Sequence, residues 1–553
     1  MNSRWVPASV LALRGYSTRT FAHDLLAGVT VGLVALPLAM AFAIASGLTP
    51  QAGIYCAVVT GFLISALGGS RFQIGGPTGA FVVVVAGIVA EYGVNGLFMC
   101  TMMAGVFLLV LGASGMGTAV KYLPRPVVVG FTNGIAVLIA STQIRDFLGL
   151  RIDEVPAEFA GRMIAVARHI DTASPSAALL GAGALALILV VRRVKPSVPG
   201  TVIALAGGTA VAMITGLGVD TIGSRFGGIP SGLPDAVLPH FDPALIPRLL
   251  RPAVTVAMLG AIESLMSAVV ADRMTGDRHN PNMELIGLGV ANIISPIFGG
   301  LPATGAIART ATNIRSGART PVAGMLHAIT LLVILVAAAP LAAFIPMAVL
   351  AAILLVVAYN MGEWHEIPRL LRLTKTDISV WLVTFALTVF ADLTLAVEVG
   401  MILAALLYIR RVSATTTVSM VTDEYVESGR VHILQDKQIP PYVTIFRIHG
   451  PFLFGVTDKL GPVVDQIERL TPIVVVRLRN MTAIDATGLH ALEDLAGRLR
   501  ASGRTLLLCG ARQQPAAVMR AGDFSRHVGE RNICLDVESA LRRAREIHDA
   551  AEV

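Results

Sequence analysis

The chain has 553 residues, of which 54% are hydrophobic and only 14% are charged, and this composition excludes a soluble protein of that length. The formal net charge is +7, and the whole excess lies in residues 1–411, with 26 Lys and Arg against 19 Asp and Glu, whereas residues 412–553 carry 17 of each. A basic excess in the membrane part follows from the preference of Lys and Arg for cytoplasmic loops, so nucleic-acid binding is not implied.

Fourteen apolar segments follow one another before Arg411. Two of them are shorter than the roughly 20 residues that a span needs, and each follows a stretch rich in Gly and Pro. These two are the third segment of each set of seven, and because seven is odd, the second set is inverted relative to the first. The sequence therefore predicts a polytopic α-helical membrane protein whose fourteen spans form a 7+7 inverted repeat, with repeats at about 24–219 and 250–411. The segments lie at about 24–46, 50–68, 77–91, 94–113, 124–144, 176–192, 198–218, 252–271, 282–298, 304–314, 320–339, 345–360, 377–392 and 394–409.

The two short segments begin with similar sequences. GPTGA at 76–80 is echoed by PATGA at 302–306, so that Thr304 corresponds to Thr78. Gly and Pro interrupt a helix and Thr is a good N-cap, so we expect a helix to start at each echo with free N–H groups. Helix N-termini attract anions, and broken helices at membrane depth face a cavity. The predicted anion site comprises Thr78, Gly79, Ala80, Thr304, Gly305 and Ala306.

Glu263 lies near the middle of the apolar run VAMLGAIESLMSAVVA. An ionised carboxylate there costs on the order of 3 kcal/mol or more, so the group is protonated, paired or in contact with a wet cavity. We interpret it as the group that carries a coupling proton. Ser267, one turn further on, shares a helix face with Glu263, and the pair could equally hold Na⁺. The structural alternative is that Glu263 is a fixed partner of Arg309.

Arg309 lies one turn beyond Gly305, and we expect its guanidinium to raise the positive potential of the anion site. The alternatives are a salt bridge or a snorkelling surface residue. The sequence contains no constellation of nucleophile and base and no metal-ligand cluster, so we expect neither an enzyme nor a bound metal or cofactor. The four cysteines indicate neither a disulfide framework nor a redox pair.

The C-terminal part has a different composition and pattern. After a polar linker at 412–441, strands are predicted at 443–450, 473–478 and 505–510, and helices at 456–470, 486–501 and 537–548. This alternation predicts a small α/β domain at 442–553. With the N-terminal segment 1–23 inside, 18 Lys and Arg lie in cytoplasmic parts and 7 outside, so we expect both termini in the cytoplasm.

The residues resemble the SulP family of anion transporters, which is solute carrier family 26 in animals. The resemblance rests on LPLAMAFAIASGLTPQAGIY, GGSRFQIGGPTGAF and GAIARTATNIRSGARTP in the membrane part, and on HGPFLFG and DATGLHAL in a domain that resembles the STAS fold. It implies a core and a gate domain, elevator-type transport, a homodimer and the bacterial inner membrane. In family terms Phe42 matches an aromatic residue that walls the anion pocket. STAS domains of the anti-sigma-antagonist type carry a phosphorylatable Ser where this chain has Ala486.

Within the family, the wording of these motifs is closest to bacterial C4-dicarboxylate carriers. The resemblance therefore implies H⁺-coupled uptake of a small anion such as succinate, fumarate or aspartate across a lipid membrane. Sulfate:H⁺ and bicarbonate:Na⁺ symport remain alternatives, since backbone N–H groups and one Arg suit several anions. An anion channel or sensor is the alternative from another class.

Overall fold

A computed structural model describes the protein over residues 5–118, 124–152, 155–156, 158–195, 198–230, 232, 236–391, 393–421 and 439–552. The chain divides into two compact units, Met1–Ile402 and Leu403–Val553. The division falls inside the last apolar helix, before the boundary at 411 that composition suggests. Lys121, Asp153, Glu154 and Asp392 lie outside the described residues, as does 422–438 of the expected linker.

Helices account for most of the first unit. Eight helices within the described ranges are long and apolar enough to cross a membrane. Each of the fourteen predicted apolar segments coincides with a helix or part of one. The first half contains α1 (Ala8–Ala12), α2 (Thr18–Ala45), α3 (Pro50–Leu67), α4 (Gly79–Ala113), α5 (Arg125–Leu148), α6 (Phe159–Arg168), α7 (Pro175–Val194), α8 (Gly200–Thr215) and α9 (Ile222–Phe226). The second contains α10 (Ile246–Thr275), α11 (Pro281–Ile294), α12 (Ile307–Arg315), α13 (Val322–Ala342), α14 (Met347–Met361), α15 (Ile367–Leu370), α16 (Lys375–Phe390) and α17 (Leu393–Thr415).

The helix starts differ from the register that the sequence echo predicts. If Thr304 corresponds to Thr78, the start of α4 at Gly79 should correspond to Gly305, but α12 begins two residues later, at Ile307. The start of α10 lies two residues later than the echo predicts as well, when it is compared with the start of α2. The starts of α10 and α12 are displaced by the same two residues, whereas α11 begins at Pro281, five residues later than the start of α3 at Pro50 predicts.

The third and fourth predicted spans together form α4. This helix is interrupted at Gly93, which has φ of 70°. Glycine tolerates this conformation because it has no Cβ. The boundary between the two predicted spans is therefore a break within one long helix.

The two interrupted segments meet at the centre of the first unit. Just before α4, β1 (Gly75–Gly76) pairs antiparallel with β2 (Thr304–Gly305), which lies just before α12. Gly75 lies opposite Gly305, and Gly76 lies opposite Thr304. All four residues are buried. This short ladder satisfies backbone groups that have left the helices, as burial requires. It also brings the N-termini of α4 and α12 close to the same place.

The second unit is a five-stranded sheet in the order β3-β4-β5-β6-β7. The strands are β3 (Thr417–Val421), β4 (Val443–Phe452), β5 (Ile473–Ile484), β6 (Thr505–Cys509) and β7 (Ile533–Cys534). β3 is antiparallel to β4, and the remaining neighbours are parallel. Apolar cores cover both faces. The helices are α18 (Gly461–Val464), α19 (Ala486–Ala501), α20 (Gln513–Ala521), α21 (Ser525–Val528) and α22 (Val537–Glu552).

Two predictions for this unit were wrong. The predicted helix at 456–470 is a series of short turns around α18, because Gly461 and Pro462 interrupt it. The start of the predicted linker continues α17 to Thr415 and then forms β3, whose β-branched residues favour a strand. The helices at 486–501 and from 537 onward are confirmed, as are the three strands.

Candidate functional site

The start of α4 carries the first half of the predicted site. Thr78 has extended backbone angles and Gly79 begins the helix, as predicted. The Thr78 hydroxyl donates to Oε2 of Glu263 at 2.9 Å, while the Phe81 N–H donates to the Thr78 carbonyl at 3.2 Å. Within the described residues, the N–H groups of Gly79 and Ala80 have no protein acceptor, as is usual in a first helical turn. These two donors are therefore available to an anion.

The start of α12 differs from the prediction. Ala306, and not Thr304, precedes the helix, because Thr304 is part of β2 and its hydroxyl donates to the Gly260 carbonyl at 3.0 Å. The Gly305 N–H donates to Ser264 Oγ at 2.8 Å and the Ala306 N–H donates to the Ile74 carbonyl at 2.9 Å. The Gly305 and Ala306 N–H groups are thus already bonded and cannot also serve an anion.

The free donors at this end lie one turn further along. Ile307 and Ala308 are the first residues of α12, and in the part of the chain that the structure describes their N–H groups have no acceptor. Both residues are exposed, and Ile307 keeps 39% of its surface accessible. In a region where the preceding six residues are buried, this exposure indicates an opening at the helix start.

Ser264 is a site residue that sequence reasoning missed. Its hydroxyl lies 2.8 Å from Thr304 Oγ1 and accepts from Gly305 N–H, so it fixes β2 to α10. The signal in the sequence is the serine pair Ser264 and Ser267, three residues apart in an apolar span. Both are fully buried and both bond toward the second interrupted segment.

Glu263 points the opposite way from these serines, toward the first repeat. It lies on α10 and is partly buried, and it accepts a hydrogen bond from Thr78 on the α4 side. Among the described residues it forms no ion pair with Arg309, so the structural alternative of a fixed salt bridge is not observed. Glu263 therefore places one carboxylate directly beside the start of α4.

Arg309 makes a contact across the repeats instead. Its side chain is only 2% exposed, and Nη2 donates to the Pro77 carbonyl, just before the start of α4. A Cβ added to Gly76 would lie 2.6 Å from Nη1, which shows how closely the guanidinium passes β1. Nη1 has no hydrogen-bond partner in the described part of the chain. The positive charge thus lies under β1, close to the start of α4.

Two other predicted site residues lie elsewhere. Ser267 donates to Thr310 Oγ1 at 3.1 Å, and the same oxygen accepts from the Ile74 N–H at 3.1 Å. Ser267 therefore packs α10 against α12, and a shared Na⁺ with Glu263, one turn away, stays a prediction. Phe42 on α2 is buried in the main apolar core, where its role in a pocket stays a prediction.

Another carboxylate, Glu284 on α11, stabilises the chain that leads into the site. It lies in the first turn of α11 and is fully buried. Its Oε2 accepts from the N–H groups of Gly69 and Ser70 at 2.8 and 2.9 Å, and Oε1 accepts from Gln73 Nε2 at 2.7 Å. Gln73 in turn lies against Gly305, where an added Cβ would meet Nε2 at 2.1 Å. Glu284 therefore fixes the loop before β1.

Known proteins are similar to this chain in sequence and fold. The chain is 39% identical to the "Putative sulfate transporter YvdB" of Bacillus subtilis (strain 168) over 94% of its own length and 97% of the relative's. The solved transmembrane domain of a cyanobacterium bicarbonate transporter, BicA, is 35% identical, with a TM-score of 0.62, over 70% of this chain and 98% of that chain. The murine solute carrier 26 family member A9 anion transporter, in an inward-facing state, shares the fold at a TM-score of 0.86 and 17% identity, over 98% and 94% of the two chains.

The family profiles cover both units. The profile described as the Sulfate permease family matches residues 21–384, and that of the STAS domain matches residues 435–540. The relatives are transporters, which confirms the prediction that the chain is not an enzyme. Both units are therefore assigned to known families. This multi-pass membrane protein is an anion transporter that belongs to the Sulfate permease family and carries a C-terminal STAS domain.

Proposed function

We propose that the protein imports a small inorganic oxyanion, sulfate or bicarbonate, together with a proton. The observation that carries this proposal is the hydrogen bond between Thr78 and Glu263, which sets a carboxylate beside the start of α4. The names of the relatives are those of sulfate and bicarbonate transporters, and this favours an inorganic oxyanion over the dicarboxylate that the motif wording suggests.

The anion binds between the two helix starts. The free N–H groups of Gly79 and Ala80 on one side, and of Ile307 and Ala308 on the other, donate to its oxygens. The positive ends of both helices favour negative charge there by roughly 0.3–1 kcal/mol each. Arg309 adds a full positive charge from below β1. Backbone N–H donors of this kind select a ligand by its charge and its size, and a small oxyanion meets both conditions.

Proton coupling follows from the position of Glu263. Two unit charges about 4 Å apart interact by roughly 4 kcal/mol in a protein-like dielectric, so an ionised Glu263 opposes anion binding at the neighbouring helix start. Protonation removes that repulsion. Because coupling between two binding sites is reciprocal, the anion also favours protonation of Glu263, and the two ligands travel together.

Sodium is the second candidate for the coupling ion. It requires several oxygen ligands around one point, and the expected pair was Glu263 with Ser267. Ser267 donates its proton to Thr310 on the α12 side, away from the Glu263–Thr78 contact. This geometry favours the proton, which needs only one carboxylate.

The pairing of β1 with β2 supports an elevator-type movement, because it joins parts of both repeats into one body that can carry the anion. A cavity of about 510 Å³ lies along α10 from Ile262 to Arg273 and also borders Arg125 and Val128 of α5. It supplies a route toward the level of Glu263. We further propose a homodimer in the bacterial inner membrane, with the N-terminal segment and the STAS domain in the cytoplasm.

Uptake into proteoliposomes tests the function. Wild-type protein and Glu263→Gln are compared with labelled sulfate, bicarbonate and succinate, under an imposed pH gradient and, separately, an imposed Na⁺ gradient. We expect wild type to concentrate sulfate or bicarbonate with the pH gradient, and Glu263→Gln to bind the anion without concentrating it. Selective succinate uptake would restore the dicarboxylate alternative, and accumulation driven by Na⁺ at constant pH would contradict the proton assignment.

A further inference from the structure

A single row of side chains crosses the whole sheet of the second unit. In the strand register Ser419 lies opposite Arg447, Arg447 opposite Arg477, Arg477 opposite Cys509, and Cys509 opposite Cys534. Side chains that are paired in register project from the same face of a sheet. Two arginines are therefore immediate neighbours in this row, which we call the arginine row (Ser419, Arg447, Arg477, Cys509 and Cys534).

The rest of that sheet face is apolar and covered by α22. Most side chains of the two preceding rows are aliphatic and pack against the buried face of the helix. The arginine row continues this face by one more register step. Arg477 is consequently only 6% exposed, although it carries a full charge. The residues under the helix are Val443, Ile445, Ile473, Val475 and Leu507, and those on the helix are Val537, Ala540, Leu541 and Ala544.

Within the described part of the chain, nothing compensates the charge of Arg477. It forms no hydrogen bond or ion pair there. The groups that act on its charge are Cys509, Arg479 and Arg447, and of these Arg447 has a partner of its own. Burial, together with the two neighbouring arginines, lowers the pKa of Arg477. Burial also raises the pKa of the neighbouring Cys509 to about 12, so that its thiol stays neutral and supplies no negative charge.

A buried cation without a counter-charge is unfavourable, and a bound anion neutralises it. A guanidinium offers a planar fork of N–H donors that fits two oxygens of an oxyanion. We propose that the arginine row binds a small oxyanion of the sulfate or phosphate class, held by Arg477 at the end of the sheet face that α22 covers. This site is formed entirely by the second unit.

The proposed site gives the STAS domain a ligand of the same chemical class as the transported anion. The domain then responds to oxyanion concentration independently of the helix starts in the membrane unit. It does not depend on Ala486, where the resemblance implies that phosphorylation is lost. A comparison of phosphate with sulfate distinguishes a site that binds oxyanions in general from one that recognises the transported ion.

Hydrogen exchange of the full-length protein, measured by mass spectrometry, tests the proposal locally. Exchange is followed in peptides covering 443–450 and 473–482, with sulfate, phosphate or chloride at equal ionic strength. We expect sulfate or phosphate to slow exchange in these peptides in wild type and not in Arg477→Leu. Arg498→Leu removes an exposed arginine of the same domain and should respond like wild type. Glu263→Gln, which alters the transport site, should also respond.

Two further results keep the test decisive. Arg477→Lys keeps the charge without the fork, so it should need more anion for the same slowing. In chloride, Arg477→Leu should be at least as stable as wild type, because it replaces a buried charge with an apolar side chain. The proposal fails if no oxyanion slows exchange in wild type, if Arg477→Leu responds equally, or if Arg477→Leu unfolds in chloride.

Discussion

Glu263 and Glu284 in the membrane unit have different surroundings, and these surroundings predict different roles. Glu284 accepts two backbone N–H groups and one side-chain amide, and it is fully enclosed. Glu263 accepts one hydroxyl and keeps some exposure. A carboxylate whose oxygens are all in use holds structure, whereas one with spare capacity beside an opening can exchange a proton.

Replacing each of these carboxylates by alanine should therefore separate stability from transport. Glu284→Ala leaves the N–H groups of Gly69 and Ser70 buried without an acceptor, at a cost of roughly 1–3 kcal/mol for each group. We expect a clearly lower unfolding temperature in detergent. Glu263→Ala should unfold near the wild-type temperature and lose pH-driven accumulation. The reverse pattern, with Glu263→Ala unstable and Glu284→Ala unaffected, would contradict both assignments.

Ser264 should matter for anion affinity although it does not touch the anion. Ser264→Ala leaves the buried Gly305 N–H without its acceptor and frees the Thr304 hydroxyl on one side, at a cost of roughly 1–3 kcal/mol. Because β2 leads directly into α12, we expect a raised apparent substrate constant together with a modest loss of stability. Ser379→Ala, at an exposed serine on α16 that bonds within its own helix, is the matched control. Unchanged affinity in Ser264→Ala would show that α12 is positioned by other contacts.

The sequence predicted those site residues whose role depends on their local surroundings. Gly79 follows an extended Thr and begins a helix, and Glu263 is recognisable as a lone carboxylate in an apolar run. Thr304 was placed wrongly because its partners, Gly260 and Ser264, lie on another helix, and these bonds hold it in a strand. The same reason explains Ser267, which bonds to α12 and not toward its helical neighbour.

At the scale of elements, the β1–β2 ladder depends on close backbone approach. Gly76 has φ of 140°, a conformation that other residues rarely adopt, and it lies against Arg309. At Gly305 the obstacle is a side chain, since an added Cβ would lie 2.1 Å from Gln73 Nε2. The ladder is therefore sensitive to a single methyl group on either strand.

Gly305→Ala should disrupt the ladder, and a second substitution should partly restore it. Alanine forces Gln73 away from Glu284, so we expect lower stability and loss of uptake. Gln73→Ala removes the obstructing amide, and the double variant should be more stable than the sum of the two single effects predicts. The measurement is a double-mutant cycle of unfolding temperatures with uptake in parallel. Additive effects would mean that the clash is relieved elsewhere.

Hydrophobic patterns predicted the positions of the elements better than they predicted the backbone conformation at those positions. In the second unit, Val456, Leu460, Val463 and Ile467 have helical spacing and are buried as expected, but the Gly-Pro pair at 461–462 makes the chain wind as short turns. In the membrane unit, α12 starts two residues later relative to PATGA at 302–306 than α4 starts relative to GPTGA at 76–80. Hydrogen bonds of the β1–β2 ladder fix those starts. Because these bonds join residues far apart in the chain, no local sequence pattern predicts them.

For the whole molecule, the two units have separate apolar cores. The main core of the membrane unit contains residues up to Met401, and the cores of the second unit contain residues from Val418 onward. The candidate transport site and the arginine row likewise belong to different units. Removing one unit should therefore leave the other site intact.

A chain that ends at Thr415, after α17, tests this independence. It keeps every residue that contacts the two helix starts, so we expect it to fold and to bind the transported oxyanion with near wild-type affinity. Bound ligand at about 100 times its Kd stabilises a folded protein by roughly 2.7 kcal/mol, so sulfate or bicarbonate should raise its unfolding temperature clearly. The same truncation carrying Gly305→Val, which obstructs the ladder, is the control and should show no such rise. A truncated protein that is folded but insensitive to both anions would mean that the STAS domain takes part in anion binding, and the separation of sites argued from the two cores would be wrong.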